Sequence, residues 1–213
     1  MTRTNRQLAN LLLEIKAVKL QPENPFSWAS GWISPIYCDN RKTLSYPKVR
    51  EFIKANFVAQ IKEKYSELDV IAGVATGGIA HGVLVAQEMG LPFVYVRSSA
   101  KAHGLENKIE GDLKAGQKVV VLEDLVSTGK SSLNAVEAIR NAGGIVLGMC
   151  AIFSYEFEIA ARNFQNKNCK LSTISEYSTL LDAALETGYI HEKQVEKLKQ
   201  WRLAPEKWGK NDE

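Results

Sequence analysis

The sequence contains few cysteines and few histidines, and it has no long uninterrupted apolar run. Its three cysteines, Cys38, Cys150 and Cys169, are far apart and form no CxxC pair. This spacing argues against a zinc site or a disulfide framework and favours the cytoplasm as the location. The apolar stretch over residues 8–20 is interrupted by charged side chains, so it is neither a signal peptide nor a membrane span. No other segment approaches the roughly 18 apolar residues that a membrane span needs, and we expect no membrane association.

The chain also lacks a strong charge of either sign. The 27 Lys and Arg residues are opposed by 24 Asp and Glu residues, which leaves a net charge of +3. Such a small excess gives no basic surface for nucleic acid, so any anionic ligand must be met by a local cluster. With 213 residues, 45% of them hydrophobic, the chain is long enough for one ordinary globular domain that buries about 70% of the surface of the unfolded chain.

Apolar segments and amphipathic segments alternate through the middle of the chain. Strands are predicted over residues 70–72, 93–96, 119–122 and 145–153, and helices over 47–64, 83–87 and 131–142. Strands that are apolar throughout and alternate with helices are typical of a mostly parallel, twisted sheet with helices on both faces. We therefore expect an α/β fold.

The two ends of the chain add smaller parts to this core. Residues 1–46 are predicted to form an amphipathic helix and an irregular hood segment, and residues 171–213 the C-terminal helices and a polar tail. The α/β core then covers residues 47–170. Within it, residues 97–116 show no sustained apolar period, which predicts a functional or mobile loop. The prediction is a single domain over residues 1–213.

The most informative segment reads VVVLEDLVSTGKS and covers residues 119–131. An apolar strand runs into two carboxylates, Glu123 and Asp124, and then through a short turn into a helix. Ligands of open parallel sheets bind beyond the carboxyl ends of the strands. The turn offers hydroxyls, backbone N–H groups and a helix N-terminus to a phosphate, while the paired acids suit ribose hydroxyls or a magnesium shell. A capped turn with two solvated acids is the alternative, and these residues alone do not decide between the two.

The tripeptide GKS at residues 129–131 invites comparison with an ATP-binding P-loop. That motif requires a glycine five positions before Gly129, where this chain has Asp124. Since a carboxylate inside the loop would repel a triphosphate, the P-loop interpretation fails.

The turn Ala75-Thr76-Gly77-Gly78 is a second candidate site for an anion. It follows the predicted strand at residues 70–72, and glycine lets backbone N–H groups approach an oxyanion closely. An ordinary turn between a strand and a helix is the alternative interpretation.

Four segments resemble one known family. The segment VVVLEDLVSTGKS resembles the phosphoribosyl pyrophosphate (PRPP) signature of the type I phosphoribosyltransferases. Within that family, YVRSSAKAHGLENKIEG at residues 95–111 resembles the mobile loop of the orotate phosphoribosyltransferases, and FSWASGWISPIYCDNR at 26–41 and GVATGGIAHG at 73–82 resemble their substrate segments. The resemblance implies the type I phosphoribosyltransferase fold. It also implies Mg-dependent transfer of the phosphoribosyl group from PRPP to N1 of orotate, giving orotidine 5'-monophosphate in de novo pyrimidine (UMP) synthesis.

The resemblance further implies which residues bind PRPP. These would be Arg97, Lys101, His103, Glu123, Asp124, Leu125, Val126, Ser127, Thr128, Gly129, Lys130 and Ser131. Among them, the two acids would bind the ribose hydroxyls, and residues 127–131 would hold the 5'-phosphate. The pyrophosphate loop would consist of Ala75, Thr76, Gly77 and Gly78, with a non-proline cis peptide between Ala75 and Thr76.

The same resemblance implies a catalytic set made of Lys101, His103 and Asp124. The family's transition state resembles an oxocarbenium ion with a departing pyrophosphate, so a carboxylate near the sugar and cations near the leaving group would stabilise it. The loop of this family closes over the neighbouring subunit's site. Arg97, Lys101 and His103 would therefore clamp pyrophosphate in trans, with His103 as a proton donor, and the protein would be a homodimer. Magnesium would be carried by PRPP, with no residue assigned as a direct ligand and with water-mediated help from Asp124 as an option.

The sequence departs from the family pattern at several positions. Ser98 and Ser99 stand where many members carry a lysine in the loop. Gly77, Ala29 and the pair Ser154-Tyr155 stand where members of another branch carry charged residues that help to hold the substrates. The roles of those charged residues cannot be transferred to this chain.

The partner of the orotate carboxylate therefore remains open at this point. Arg41 and Lys42 are the candidates beside the substrate segment, and Ser127 is a candidate contact of the base. Trp28 and Trp32 could cover a flat pyrimidine, and a core or dimer contact is the alternative for both.

Two other functions compete with orotate transfer. A purine phosphoribosyltransferase would share the PRPP signature but is not expected to carry the loop RxxAKxHG. A regulator that senses PRPP or nucleotides on the same fold is expected to lack some clamp residues or to carry a nucleic-acid patch, whereas Arg97, Lys101 and His103 are all present.

Overall fold

The computed structural model describes residues 3–28, 30–98 and 108–208. Helix α1 (Arg3–Glu14) opens the chain, as its amphipathic pattern predicts, and it buries Leu8 and Leu12 among other apolar side chains. Four short strands follow in two antiparallel pairs: β1 (Val18–Leu20), β2 (Phe26–Ser27), β3 (Ile33–Ser34) and β4 (Ile36–Cys38). A 3-10 helix (Asn40–Ser45) completes the segment, which we call the hood (residues 15–46).

The remaining elements alternate as the sequence predicts. The strands are β5 (Val70–Val74), β6 (Phe93–Val96), β7 (Ile109–Glu110), β8 (Lys118–Val126), β9 (Ile145–Ser154) and β10 (Leu171–Glu176). The helices are α2 (Pro47–Lys64), α3 (Gly77–Met89), α4 (Lys130–Asn141), α5 (Glu158–Asn166), α6 (Tyr177–Glu186) and α7 (Glu192–Leu203). Helix α2 begins at its proline, which lacks the N–H group that the first turn leaves unpaired.

The six strands β5 to β10 form one sheet in the order β10-β9-β8-β5-β6-β7. All neighbouring pairs are parallel except β6 and β7, which pair antiparallel. All five residues of β5 are buried, as are residues 119–122 of β8 and 149–153 of β9. Helices α2, α3 and α4 all contact the sheet, and the predicted α/β class with a mostly parallel sheet is confirmed. None of the helices within the described ranges is long and apolar enough to cross a bilayer.

Three elements differ from the sequence-based expectation. Residues 171–213 were expected to hold helices and a tail, but they begin with β10, an edge strand whose hydroxyl and charged residues hide the apolar pattern. Within the expected loop at 97–116, Ile109–Glu110 pairs with the end of β6. Strand β8 continues to Val126, four residues beyond its predicted end, because its main chain keeps pairing with β9 although its side chains become acidic.

Candidate functional site

Strand β8 carries the acidic pair past the end of its neighbour β5. The pairing of β8 with β5 ends at Leu122, opposite Gly73, whereas its pairing with β9 continues to Val126, opposite Ser154. Glu123 and Asp124 therefore stand at the carboxyl edge of the sheet with one strand neighbour missing. The sequence placed them beyond the end of the strand, and the structure places them inside it but at the same edge.

Glu123 is buried and held from two sides. The residue is only 5% exposed. Its Oε2 accepts a hydrogen bond from the Ser132 hydroxyl at 2.8 Å, and its Oε1 accepts one from the N–H of Asp124 at 3.0 Å. Burial, followed by the charge of Asp124, raises the pKa of Glu123 well above its ordinary value. The pair thus consists of a buried acid that holds its proton more tightly than an ordinary glutamate and, next to it, Asp124, which lines the cavity described below.

The raised pKa of Glu123 predicts how stability depends on pH. Because the folded state holds this proton more tightly than the unfolded state, the stabilisation is complete below the ordinary value of 4.5 and is lost as the pH rises toward the folded-state pKa. Glu123→Gln, which cannot ionise, should remove this loss. The difference in unfolding free energy between variant and wild type, measured with urea across pH, should move in favour of the variant as the pH rises.

A surface glutamate provides the control for this experiment. Lys167 lowers the pKa of Glu137, whose side chain is 42% exposed, so Glu137→Gln should show a weak dependence of the opposite sign. Parallel stability curves for wild type and Glu123→Gln would contradict the raised pKa.

The turn after β8 presents the start of α4. Gly129 is the N-cap of α4 with φ +77°, a conformation that favours glycine, and its carbonyl accepts the N–H of Leu133 at 2.9 Å. The carbonyl of Thr128 accepts a hydrogen bond from Asn163 Nδ2 at 2.9 Å, and a Cβ on Gly129 would lie 2.8 Å from the Phe164 ring. Helix α5 therefore supports this turn from outside, and the N-cap residue Gly129 has no side chain that could cap the N-terminus of α4. The first N–H groups of α4 suit a phosphate.

The turn at residues 75–78 lies directly beside the acidic pair. The peptide between Ala75 and Thr76 is cis, as predicted. The N–H of Ala75 donates to the carbonyl of Val96 at 2.9 Å, which ties this turn to the end of β6. A Cβ on Gly77 would overlap the Asp124 carboxylate, and one on Gly78 would lie 2.5 Å from the carbonyl oxygen of Leu122. Gly78 is therefore required by its close approach to the main chain of β8, whereas a Cβ at Gly77 would displace the Asp124 side chain.

The acidic pair, the turn and the hood together enclose a cavity of about 360 Å³, which we call the polar cavity. It is lined by Cys38, Asp39, Arg41, Val74, Ala75, Thr76, Gly77, Glu123, Asp124, Leu125 and Ser131. Arg41 is more than half exposed and donates from Nε to Asp39 Oδ1 at 2.7 Å, a hydrogen bond that raises the pKa of the guanidinium. Lys42 contacts the carbonyl of Lys16 at 3.4 Å and lines neither this cavity nor the next.

A second cavity of about 570 Å³ adjoins the first, and we call it the aromatic cavity. It is lined by Ser27, Trp28, Ser30, Trp32, Tyr37, Cys38, Leu125, Ser127, Thr128 and Tyr155, so that Cys38 and Leu125 belong to both cavities. Trp28 also packs edge-on against Trp201 of α7 and donates from Nε1 to the carbonyl of Ile36 at 3.1 Å. Its ring is thus both a wall of the cavity and part of an aromatic cluster.

Of the three predicted clamp residues, the structure describes one. Arg97 follows β6 directly, its N–H donates to the carbonyl of Lys108 at 2.8 Å, and its guanidinium lies 3.4 Å from Glu110. Lys101 and His103 lie outside the described residues. Because Ala75 bonds to Val96, Arg97 begins its loop next to the turn at 75–78.

The structure brings most of the predicted site residues to these two cavities. The described site residues that line neither of them are Gly78, Arg97, Val126, Gly129 and Lys130, and Gly78 and Gly129 act through backbone packing instead. Sequence reasoning missed Asn163 and Phe164, which support the turn before α4, because nothing in the pattern predicted α5. Among the residues that the structure describes, no group of three or more His, Cys, Asp or Glu side chains could hold a metal ion.

The geometry describes an α/β protein with a carboxylate pair, a glycine turn and the start of a helix around one cavity. Residues 48–178 match the family model of the phosphoribosyl transferase domain. An orotate phosphoribosyltransferase of Porphyromonas gingivalis is 57% identical over 202 residues, covering 95% of this chain and 96% of that protein. One of Enterococcus faecalis is 54% identical over 210 residues, covering 99% of this chain and all of that protein.

A solved structure extends the comparison to three dimensions. The crystal structure of orotate phosphoribosyltransferase from Aeropyrum pernix is similar with a TM-score of 0.74 and 26% identity, covering 86% of this chain and 99% of that chain. The class defined by the fold and the site is thus that of the phosphoribosyltransferases. Within that class, the chain belongs to the family of the orotate phosphoribosyltransferases.

Proposed function

We propose that this protein transfers the 5-phosphoribosyl group of PRPP to N1 of orotate, giving orotidine 5'-monophosphate and pyrophosphate in de novo pyrimidine synthesis. The convergence of the acidic pair, the turn at 75–78 and the start of α4 around the polar cavity carries this proposal. The chain's similarity to orotate phosphoribosyltransferases over almost its whole length supports the choice of substrates.

The proposed reaction uses charge rather than a covalent intermediate. As the bond from C1 of the ribose to pyrophosphate breaks, positive charge grows on the sugar, and the Asp124 carboxylate stabilises it from a site that is already organised. Glu123 lines the same cavity and orients Asp124 through the hydrogen bond to its N–H. The start of α4 holds the 5'-phosphate, and backbone N–H groups of the turn at 75–78 meet the pyrophosphate.

Magnesium enters this proposal as part of the substrate. Mg²⁺ prefers oxygen ligands and commonly keeps several waters while it binds substrate phosphates. The carboxylate of Asp124, which lines the polar cavity, fits such an ion through water. Asp124 is the residue proposed to order one of these waters.

The pyrophosphate clamp is proposed to come from a second copy of the chain. Arg97 with Lys101 and His103 would close over the neighbouring site, the two cations holding the leaving group and His103 donating a proton to it. The protein would then act as a homodimer in the cytoplasm. The cysteine usage supports that location, since all three cysteines are free thiols.

The aromatic cavity is proposed to receive the pyrimidine ring of orotate. Its walls are largely aromatic, and Ser127 lines it from the turn before α4. It meets the polar cavity at Cys38 and Leu125, where the base and the ribose would join. Arg41 is proposed as the partner of the orotate carboxylate from its position in the wall of the polar cavity.

Two adjacent cations make this last proposal testable. Arg41→Ala should raise the KM for orotate by about tenfold or more while the KM for PRPP changes little, because a charge-assisted hydrogen bond is lost. Lys42→Ala is the matched control, since Lys42 lines neither cavity. A larger effect of Lys42→Ala, or equal losses for both substrates in Arg41→Ala, would contradict the assignment.

The proposed activity is tested by following the absorbance of orotate in the presence of PRPP and magnesium. The same assay with adenine, hypoxanthine and uracil separates orotate transfer from purine transfer. Turnover of a purine in place of orotate would make the protein a purine phosphoribosyltransferase. Binding of PRPP by folded protein without turnover of any base would favour a sensor on the same fold.

A further inference from the structure

A chain of buried polar groups connects the acidic pair to helix α3 through the hood. Asn40 Nδ2 donates to the main-chain carbonyl of Asp124 at 2.6 Å. The carbonyl of Asn40 accepts the Thr43 hydroxyl at 2.5 Å, and that hydroxyl lies 3.1 Å from His81 Nε2. Asn40, Thr43 and His81 are each at most 1% exposed.

The direction of the hydrogen bonds follows from the number of protons available. Because the Thr43 hydroxyl spends its one proton on the Asn40 carbonyl, it must accept the hydrogen bond from Nε2–H of His81. The other ring nitrogen, Nδ1, is buried, and no group within the described residues forms a hydrogen bond with it. Burial, followed by the charge of Arg50, lowers the pKa of His81 to about 4, so the imidazole is neutral near pH 7.

The series of hydrogen bonds ends on the two halves of the polar cavity. One end is the main chain of Asp124, and the other is α3, which begins at Gly77 in the turn at 75–78. The 3-10 helix contacts both β8 and α3. A Cβ on Gly77 would overlap the Asp124 carboxylate, so the two halves of the cavity are in close contact there. A small shift of either half would therefore change the distance between the carboxylate and the turn at 75–78.

We infer that Asn40 and Thr43 are positioning residues for phosphoribosyl transfer, because they hold the main chain of Asp124 in register with the helix that begins in the pyrophosphate loop. The inference rests on the proposed function. Neither residue is assigned to contact the substrate. Their effect would pass through the distance between the ribose carboxylate and the backbone N–H groups at 75–78, on which the binding of PRPP would depend and the binding of orotate much less.

Thr43→Val tests this inference with a side chain of the same shape. Valine removes the donor to the Asn40 carbonyl and the acceptor for His81 Nε2–H, so the buried imidazole loses this partner. We expect the Kd for Mg–PRPP, measured by calorimetry without orotate, to rise about tenfold or more. In steady-state assays the KM for PRPP should rise similarly while the KM for orotate stays within about twofold. Thr43→Ser, which keeps the hydroxyl, should restore both values.

Two further variants separate positioning from loss of stability. Ser175 is also fully buried, and its hydroxyl donates to the carbonyl of Asn5 at 2.9 Å between β10 and α1, on other elements than those that form the cavity. Ser175→Ala should lower stability without weakening the binding of PRPP. Asn40→Asp keeps the shape of residue 40 but removes the donor to Asp124, so it should reproduce the effect of Thr43→Val even where Thr43→Val folds poorly.

Each outcome of these measurements decides the inference. Wild-type affinity for PRPP in Thr43→Val or Asn40→Asp would overturn it, as would an equal loss in Ser175→Ala. If the wild type binds PRPP but does not consume orotate, the proposed function fails while the comparison of Kd values still decides the positioning role. If the wild type does not bind PRPP, both proposals fail.

Discussion

Asp124→Asn is expected to lower kcat by about 100-fold or more while the protein remains folded. The carboxylate stands at the edge of the sheet, already oriented by Glu123, and removing one such pre-organised charge from a transition state commonly costs this much in rate. Asparagine has the same shape and leaves the main-chain bond from Asn40 intact. The loss should therefore appear in kcat measured with saturating orotate and PRPP, together with an unchanged thermal unfolding curve.

Glu123→Gln is the matched control for this prediction. Because burial and the charge of Asp124 already raise the pKa of Glu123, replacement by a neutral amide changes less charge there than the same replacement at Asp124. We expect the loss of kcat in Glu123→Gln to be clearly smaller than in Asp124→Asn. Equal losses would show that both carboxylates act as charges.

Mixing two inactive variants is expected to restore activity if the clamp acts in trans. Lys101→Ala alone should lower kcat by about 100-fold or more, because the cation opposite the departing pyrophosphate is lost. When it is mixed in equal amounts with Asp124→Asn under conditions that allow exchange of subunits, about half of the dimers would be hybrids. One of the two sites in each hybrid has both an intact carboxylate and an intact loop, so the activity should reach about a quarter of that of the wild type.

The recovery separates action in trans from action within one chain. If the loop closed over its own chain's cavity, every site in a hybrid would carry one of the two defects and mixing would restore nothing. Cross-linking or light scattering before the assay confirms that hybrids form. A mixture that contains hybrids and stays inactive would contradict the trans arrangement.

Local patterns in the sequence were enough to predict the α/β core. The apolar run at 119–122, the proline at the start of α2 and the glycine turn at 75–78 each specify local structure through burial, a fixed φ or a lack of Cβ, and the structure contains all three. Strand β10 and helix α5 were not predicted, since an edge strand and a short surface helix expose enough polar residues to blur the apolar period.

For the site, residue types and their spacing in the segments at 75–78 and 119–131 determined the candidate chemistry, namely carboxylates beside phosphate-binding turns. The sequence alone did not show that Glu123 is buried or that Asn163 supports the turn before α4. It also did not show that Asn40 donates to the main chain of Asp124 across 84 positions of sequence. These relations join segments far apart in the chain. Only the packing of the sheet and the hood brings them together, because burial and hydrogen-bond partners depend on what lies beside a residue in space, and a local pattern carries no information about that.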